Sequence, residues 1–458
     1  MRSPRKFFVP RSRTTGNVWP AIPNAGCALD FALLYQLERS EWLPEAALRD
    51  LQKAQVLRLL EHAWRTVPYY RERDRGFDVR TRDFWNDCWP EIPILSRSDV
   101  QAAERRLVSE ALPKDHGSVS TISTSGSTGR PVRTLTTDLT RRMWRAFSMR
   151  DHLWHGRDFS QRFAAIRSTG GLSAEPPHGF TTKGWDAVYG VGTLHALSVQ
   201  APIDAQIGWL QSVRPAYLLS YPSNLRELAR RCVEQGIRLE GLQHVVAVGE
   251  VVTPECRRLA AEAWGVGVKD AYTSQEAGYL ALQCPETEDC YHVQSENVVL
   301  EVIDEAGRPC GEGEVGRVVV TTMHNFATPL IRYDICDYAE MGGTCRCGRG
   351  LPVLRRIFGR RRNMLTLPDG NRRWPFLGEY RYRDVAPVRQ YQIVQKSLEL
   401  IEVVLAADRP LTSTEESKLS EIIRAELGYP FELSFVYVDE IPRSPSGKFE
   451  DFRSELSC

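Results

Sequence analysis

The chain has 458 residues, a length typical of two or three domains with room for a cleft between them. Its 59 Lys and Arg residues almost balance its 58 Asp and Glu residues, which excludes a global electrostatic field that gathers nucleic acid or anionic lipid. There is no run of about 18 apolar residues and no signal-peptide pattern, so we expect a cytoplasmic protein without nucleic-acid or membrane partners.

Residues 1–40 are predicted to form an N-terminal strap, because the chain opens with the basic stretch MRSPRKFFVPRSRTTG. Residues 44–73 then place apolar side chains at spacings of three residues, which is typical of an amphipathic helix. These apolar positions are Leu48, Leu51, Ala54, Leu57, Leu60 and Ala63. We therefore expect one long helix that packs against the main core.

The central part of the chain predicts a large α/β domain over residues 41–359. Stretches rich in β-branched residues, YLLSY (217–221), HVVAVGE (244–250) and NVVLEVI (297–303), alternate with helical stretches such as NLRELARRCVEQG (224–236). This alternation is typical of a largely parallel sheet covered by helices.

A composition break at GRRRN (359–363) predicts a domain boundary, with a small α+β domain over residues 360–458. The small domain contains in order a strand (LELIEVVLA), a helix (STEESKLSEIIRAELG), a strand (ELSFVYV) and a closing loop (IPRSPSGKFEDF).

The stretch STSGSTGRP (123–131) follows one predicted strand and precedes another. Its density of hydroxyl and glycine residues suits a loop whose N–H and O–H donors wrap polyphosphate oxygens. It lacks the spacing and the lysine of a Walker A loop, which disfavours a P-loop NTPase. A polar linker is the alternative interpretation of the stretch taken alone.

Three further segments carry side chains suited to nucleotide chemistry: DAYTSQE (270–276), TPLIRYDICD (328–337) and SPSGK (444–448). A tyrosine followed four residues later by a glutamate can stack a flat ring and bind a divalent cation, and an aspartate can bind two ribose hydroxyls. A lysine on a glycine-containing loop can offset the charge that develops when a carboxylate attacks the α-phosphate.

In order and spacing, these segments resemble the signature motifs of the adenylate-forming superfamily, the acyl-CoA synthetases and their relatives. The stretches LLEHAWRTVPYYRER and EIPILSRSDV and the form TPLIRYD are similar to the phenylacetate-CoA ligase branch, and the resemblance covers about residues 48–452. LPDGNRR (367–373) is similar to a capsular-biosynthesis-like subgroup of that branch. The resemblance implies a large domain whose β-sheets are sandwiched by helices, and a small mobile C-terminal domain.

The resemblance also implies roles for individual residues, with ATP, Mg²⁺ and CoA as cofactors. The phosphate loop would be formed by Ser125, Gly126, Ser127, Thr128 and Gly129. Adenine would be bracketed by Gly249, Glu250, Ala271 and Tyr272. Ribose would be held by Asp337 and Arg360. Catalysis would involve Thr273 at the α-phosphate, Glu276 as the Mg²⁺ ligand, and Lys448 at the transition state.

The sequence departs from the family's pattern at two places. Arg130 stands where a lysine commonly follows the phosphate loop, which keeps the charge. Arg362 and Asn363 stand where acidic residues commonly follow the hinge arginine. The second departure concerns the hinge, so it bears on the transfer step and its acceptor and not on the adenylation step.

A zinc site is predicted from two cysteine-rich stretches, LQCPETEDCYH (282–292) and TCRCGRG (344–350). Thiolates and an imidazole in this number are the ligands of structural tetrahedral zinc. Four ligands must come from five candidates, Cys284, Cys290, His292, Cys345 and Cys347. The family resemblance favours the set without Cys290, and reduced loop thiols without a metal are the alternative.

The resemblance to the branch implies a small carboxylic acid, aryl or arylacetic, as the substrate. Its pocket would be lined by Arg167, Gly170, Tyr221, Ser223 and Ala277, although such residues are also common in cores and on surfaces. Three functions remain open: transfer of the acyl group to a thiol of CoA or a carrier protein, transfer to an amine or hydroxyl, and a non-catalytic nucleotide-binding module. The sequence does not set the oligomeric state, and a homodimer is among the assemblies that it allows.

Overall fold

The structure is a computed structural model that describes residues 15, 17, 20–73, 83–123, 131–186, 188–375, 377, 379–444 and 447–456, with only the backbone at 379–381. The chain divides into two compact units, residues 1–357 and 358–458. In the described part of the chain, no helix is long and apolar enough to cross a membrane.

The helices of the described residues are α1 (Ala25–Ser40), α2 (Glu45–Thr66), α3 (Pro68–Arg71), α4 (Arg97–Ala103), α5 (Asp138–Trp154), α6 (Ile203–Val213), α7 (Pro222–Gln235), α8 (Pro254–Trp264), α9 (Glu379–Val385) and α10 (Ser413–Leu427). Within the predicted strap, residues 25–40 form α1, which is tied to α5 by Arg142 Nη1 donating to Asp30 Oδ1 at 2.8 Å. That part of the strap is therefore an ordered, packed helix.

The predicted helix over 44–73 is two helices, because α2 ends at Thr66 and α3 begins at Pro68. Val67 has extended backbone angles, as the residue before a proline prefers. The predicted stripe at spacings of three is also wrong in part, since Leu51 is 58% exposed whereas Val56 and Leu59 are fully buried. A period of 3.6 residues moves a spacing of three off the buried face.

The first unit is built on a twelve-stranded sheet in the order β11-β12-β13-β14-β10-β9-β8-β7-β6-β3-β5-β4, beside a separate β1-β2 hairpin. The strands of the hairpin and the sheet are β1 (Val119–Ser123), β2 (Arg133–Thr137), β3 (Arg162–Arg167), β4 (Phe180–Lys183), β5 (Thr193–Ser198), β6 (Tyr217–Ser220), β7 (His244–Val248), β8 (Val268–Ser274), β9 (Gly278–Gln283), β10 (Tyr291–Val293), β11 (Val298–Ile303), β12 (Val315–Thr322), β13 (Tyr333–Met341) and β14 (Val353–Arg360).

The sheet is parallel only in one half. Parallel pairs run through five neighbouring strands, in the order β5, β3, β6, β7 and β8. Antiparallel pairs join β8 with β9, β9 with β10, β10 with β14, β11 with β12 and β12 with β13. The mixed α/β fold is as predicted, but a largely parallel sheet is wrong for the second half. The short connection from Ser274 to Gly278 is too short for a crossover helix, so β9 must return antiparallel to β8.

Helices cover the sheet through two apolar clusters. In one cluster, side chains of α7 such as Leu225 and Leu228 pack with Val245 of β7 and Ala260 of α8. In the other, α2 contributes residues such as Val56, which pack with strands of the antiparallel half. This packing holds in place the strand ends that carry the residues predicted to bind a nucleotide.

The second unit contains a four-stranded sheet in the order β19-β18-β17-β20. The remaining strands are β15 (Leu365–Thr366), β16 (Arg372–Arg373), β17 (Val388–Gln395), β18 (Leu400–Ala407), β19 (Glu432–Tyr437) and β20 (Phe452–Ser454). Ile423 of α10 is buried in one cluster with Ile393 and Ile401 of the sheet. The predicted strand–helix–strand order of the small α+β unit is confirmed by β18, α10 and β19.

Candidate active site and metal cluster

The predicted phosphate loop joins the two strands of the hairpin. Strands β1 and β2 pair antiparallel from Val119 with Thr137 to Ser123 with Arg133. Residues Ser125, Gly126, Ser127, Thr128 and Gly129, together with Arg130, lie outside the described residues. Their role in binding phosphate stays a prediction.

The predicted adenine-binding residues stand on two neighbouring parallel strands. Val248, the last residue of β7, pairs with Ala271 of β8, so Gly249 follows β7 beside the point where β8 carries Tyr272. Ligands of open α/β sheets bind beyond the carboxyl ends of parallel strands. The fold therefore places these motifs at an edge suited to a nucleotide.

Tyr272 and Asp337 are joined by a hydrogen bond, although 65 residues separate them in the sequence. The Tyr272 hydroxyl donates to Asp337 Oδ2 at 2.9 Å, from β8 to β13. Tyr272 is buried and Asp337 is half-buried. Two segments that the sequence analysis assigned to adenine and to ribose thus meet in one place.

Asp270, the first residue of the DAYTSQE segment, is buried beneath this edge. Its Oδ2 accepts a hydrogen bond from the Tyr291 hydroxyl at 2.9 Å. Burial raises the pKa of Asp270 to about 6, and the hydrogen bond from Tyr291 and the charge of Arg257 oppose this shift. Asp270 therefore changes its charge in a pH range where an ordinary aspartate is already ionised.

Glu276, the predicted Mg²⁺ ligand, lies in the turn between β8 and β9. The Ala277 N–H donates to Ser274 Oγ at 3.0 Å. The side-chain amide of Asn297 donates to the carbonyl oxygens of Ala277 at 3.0 Å and Tyr279 at 2.8 Å. The turn that carries Glu276 is therefore held from both sides.

Sequence reasoning missed Asn297, because nothing in the stretch QSEN distinguishes it from an ordinary turn residue. It also missed Trp144 of α5, which is 40% exposed and whose ring centroid lies 5.1 Å from that of Tyr279. An ideal Cβ at Gly278, where φ is +77°, would lie 3.6 Å from the Trp144 ring. Trp144 thus covers the segment next to Ala277.

The predicted substrate residues occupy different environments. Arg167 is exposed at the end of β3, and Gly170 follows it with a φ of 60°. Tyr221 is buried in the apolar cluster around α7, and its hydroxyl accepts from the Ser168 N–H at 3.4 Å. The roles of these residues in acid binding stay predictions.

Ser223 and Glu250 are in direct contact. The Ser223 N–H and Oγ donate to the two carboxylate oxygens of Glu250, at 2.9 and 3.1 Å. Ser223 lies in the first turn of α7, where a carboxylate is stabilised by the unpaired N–H groups of the helix. A residue assigned to the acid and a residue assigned to adenine are therefore neighbours at the ends of β6 and β7.

The structure brings together four of the five metal candidates. The ligand atoms of Cys284, His292, Cys345 and Cys347 all lie within 4.8 Å of one another. The Sγ atoms of Cys284 and Cys345 are 3.8 Å apart, and Cys347 Sγ lies 3.3 Å from His292 Nε2. Two sulfurs on a tetrahedral zinc, with Zn–S bonds of about 2.3 Å, are separated by about 3.8 Å. The donor set fits structural zinc.

Cys290 is not part of this four-residue group. Its backbone oxygen accepts from the Cys284 N–H at 2.7 Å, which closes the loop between β9 and β10. Among the four, burial raises the pKa of the Cys284 thiol to about 12, so this thiol must give up a proton to bind a metal. At Cys347, burial is outweighed by hydrogen bonds from His292 and Arg349, and the pKa of its thiol is lowered.

Lys448 and Arg360 belong to the second unit. Lys448 ends a turn in which the Gly447 N–H donates to Ser444 O at 2.7 Å, and the Ser444 N–H donates to Lys448 O at 2.9 Å. Gly447 has a φ of 81°, a conformation that side chains other than glycine rarely adopt. Arg360 ends β14 and precedes a single 3₁₀ turn over Arg361–Asn363.

The chain is similar to known proteins both in sequence and in fold. Residues 381–454 match the family described as the CapK C-terminal domain. The chain is 26% identical over 361 residues to the phenylacetate-coenzyme A ligase of Thermus thermophilus, covering 74% of this chain and 76% of that protein. It is 25% identical over 428 residues to the phenylacetate-coenzyme A ligase of Escherichia coli K12, covering 87% of this chain and 94% of that protein.

Among solved structures, a 2-hydroxyisobutyryl-CoA ligase in the postadenylation state superposes with a TM-score of 0.68 at 21% identity, covering 92% of each chain. The anthranilate-CoA ligase AuaEII in complex with anthranoyl-AMP superposes with a TM-score of 0.53 at 16% identity, covering 73% of this chain and 66% of that chain. At these identities the superpositions establish a common fold.

Proposed function

We propose that the chain is an adenylate-forming enzyme like the phenylacetate-coenzyme A ligases that it resembles, and that it activates a carboxylic acid with ATP and passes the acyl group to CoA. The observation that carries the proposal is the hydrogen bond between Tyr272 and Asp337 at 2.9 Å. This bond joins two signature segments at the sheet edge where a nucleotide would bind.

The proposed first step is an in-line displacement at phosphorus. A carboxylate oxygen of the acid forms a bond to the α-phosphorus of ATP, and the bond from that phosphorus to the bridging oxygen breaks, which releases pyrophosphate. Ser125 to Gly129 would hold the β- and γ-phosphates, Thr273 would contact the α-phosphate, and Lys448 would stabilise the charge that moves onto pyrophosphate. Mg²⁺ held by Glu276 would supply further positive charge at the phosphates.

In the proposed second step, a thiol attacks the acyl carbonyl. The carbon–sulfur bond forms as the bond to the AMP oxygen breaks, and the thiol proton passes to solvent. CoA is the favoured acceptor because the similar proteins of Thermus thermophilus and Escherichia coli are coenzyme A ligases, and a carrier-protein thiol would undergo the same chemistry.

The acid is proposed to be aromatic. Phenylacetate is the acid named for the curated relatives, and Trp144 presents a half-exposed ring beside Gly278 and Ala277. A flat ring at this place would favour a flat substrate through stacking. A pocket formed with Arg167 and Ser223 would accept a polar substituent on the ring.

A second candidate is transfer of the acyl group to an amine or hydroxyl. The observation that favours it is the presence of Arg362 and Asn363 after Arg360, where acidic residues are common in the family that the sequence resembles. In both candidates the adenylation step is the same, and only the nucleophile of the second step differs.

The experiment that tests the proposal is pyrophosphate release from ATP by the purified protein with Mg²⁺, across benzoic, phenylacetic, cinnamic and short aliphatic acids, with and without CoA. We expect release with an aromatic acid and formation of its CoA thioester. Release without thioester formation would favour the amine or hydroxyl acceptor. Nucleotide binding without release for any acid would indicate the non-catalytic module instead.

A further inference from the structure

The segment after Arg360 is bound to the segment after Lys448 by an ion pair. Arg362 Nη2 contacts Glu450 Oε1, and the two side chains are 22% and 25% exposed. Both residues belong to the second unit, so the contact is internal to that unit. Glu450 lies two residues beyond Lys448 in the sequence.

Three further hydrogen bonds fix the same stretch. The side-chain amide of Asn363 donates to Phe452 O at 2.7 Å. From β17, Gln392 Nε2 donates to Glu450 O at 2.9 Å, and the Ile393 N–H donates to Asp451 O at 2.8 Å. The stretch 450–452 is therefore held by side chains at 362 and 363 and by the edge of β17.

On the other side of Lys448, the turn is closed on Ser444. The Lys448 N–H donates to Ser444 Oγ at 3.1 Å, and the Lys448 carbonyl accepts from the Ser444 N–H. The position of Lys448 thus depends on two anchors, the turn at Ser444 and the ion pair at Glu450. A half-buried arginine–carboxylate pair is less screened by solvent than a surface pair.

We propose that Arg362 and Glu450 are positioning residues for Lys448, and that the arginine at position 362 serves this pairing. The inference rests on the proposed role of Lys448 in adenylation. It also accounts for the loss of acidic character after Arg360, because the acidic partner stands at position 450 of the same unit. The segment that follows Arg360 and the segment that carries Lys448 are then held together within the second unit.

The test compares R362A, E450A and the charge swap R362E/E450R with the wild-type protein. Single-turnover adenylation should slow roughly tenfold to a hundredfold in each single variant, because small misplacements of a catalytic group have effects of this size. The KM for ATP should change less than about twofold, because neither Arg362 nor Glu450 is among the residues proposed to hold the base or the ribose. The charge swap should recover most of the rate.

R409A is the matched control. Arg409 forms a two-bond ion pair with Glu415 at 2.8 and 2.9 Å, also within the second unit but at the start of α10. Its loss should leave both the adenylation rate and the KM unchanged. A rate in R362A equal to that of R409A, or a charge swap as slow as the single variants, would overturn the inference.

Hydrogen–deuterium exchange gives a readout that does not depend on activity. In R362A we expect faster exchange over residues 447–452 and unchanged exchange in α10. In R409A we expect faster exchange in α10 and unchanged exchange over residues 447–452. Unchanged exchange over 447–452 would overturn the inference even if the wild-type protein released no pyrophosphate. Absence of release by the wild-type protein alone would instead contradict the proposed function.

Discussion

The hydrogen bond from Tyr272 to Asp337 is the most informative contact at the scale of single residues. The sequence separates these side chains by 65 positions, and the fold joins them at 2.9 Å. An oriented carboxylate can accept from two ribose hydroxyls without first losing rotamer freedom. If Asp337 binds ribose as proposed, the hydrogen bond from the Tyr272 hydroxyl would orient its carboxylate for that role.

Replacing Tyr272 by Phe should weaken ATP binding by a factor of roughly two to ten, the usual contribution of one hydrogen bond. Isothermal titration calorimetry measures this change directly. Y35F is the control, because Tyr35 is 60% exposed on α1. Equal ATP affinity for Y272F and Y35F would show that the bond does not prepare Asp337.

Replacing Lys448 by Ala should lower the adenylation rate by roughly a hundredfold to a thousandfold while ATP still binds, because in its proposed role the lysine stabilises charge that develops in the transition state. Rapid-quench measurement of the acyl adenylate separates the two effects. K418A, at an exposed position of α10, should behave as wild type. Parallel loss of ATP binding and turnover in K448A would contradict this assignment.

Asp270 makes stability depend on pH. Its pKa is raised from 3.8 to about 6 in the folded protein, so its contribution to stability is fully present below pH 3.8 and is lost as the pH rises through 6. The loss by pH 7 is about 3 kcal/mol as an upper value, from 1.36 kcal/mol per pKa unit. In the D270N variant, the amide at position 270 does not ionise, so this pH dependence of stability is removed.

Urea denaturation of both proteins between pH 4 and pH 7 tests this point. The free energy of unfolding of D270N relative to wild type should rise across this range. A difference that stays constant from pH 4 to pH 7 would show that Asp270 titrates at an ordinary pKa in the folded chain.

At the scale of elements, the Cys/His cluster that is predicted to bind zinc connects the strands that carry the candidate site. Cys284 follows β9, His292 lies on β10, and Cys345 and Cys347 lie between β13 and β14. Strand β13 bears Asp337, and β9 follows the turn that bears Glu276. A metal at this point would stabilise the sheet region that orders both carboxylates.

Replacing Cys284 by Ser should remove one equivalent of bound zinc and lower the melting temperature. Cys290 to Ser is the matched control, because Cys290 lies in the same loop and outside the four-residue group. Inductively coupled plasma mass spectrometry and calorimetry measure the two effects. Zinc retained in C284S and lost in C290S would reverse the choice of ligands.

At the scale of the whole molecule, local signals predicted strands and helices well. Strands β6, β7 and β11 and helix α7 lie where the β-branched runs and the helical pattern place them, and Gly236 ends α7 in a left-handed conformation. The order and direction in which the strands pair were less predictable. The antiparallel half of the sheet depends on turn lengths and long-range contacts, which a periodic pattern does not contain.

The same limit applies to the site. Motifs identified Tyr272, Asp337 and the cysteines, because their chemistry is visible in the residue types. Which strand ends meet in the fold decides whether Ser223 contacts Glu250. It also decides whether Asn297 donates to the Ala277 carbonyl. No single stretch of sequence carries that information.

Activation of the acid as an acyl adenylate is tested most directly by a reaction with an ¹⁸O-labelled aromatic carboxylate, ATP and CoA, followed by mass spectrometry of the nucleotide product. We expect one ¹⁸O atom in AMP and none in pyrophosphate, because the carboxylate oxygen attacks the α-phosphorus. Label in inorganic phosphate with ADP as the product, or thioester formed with unlabelled AMP, would contradict it.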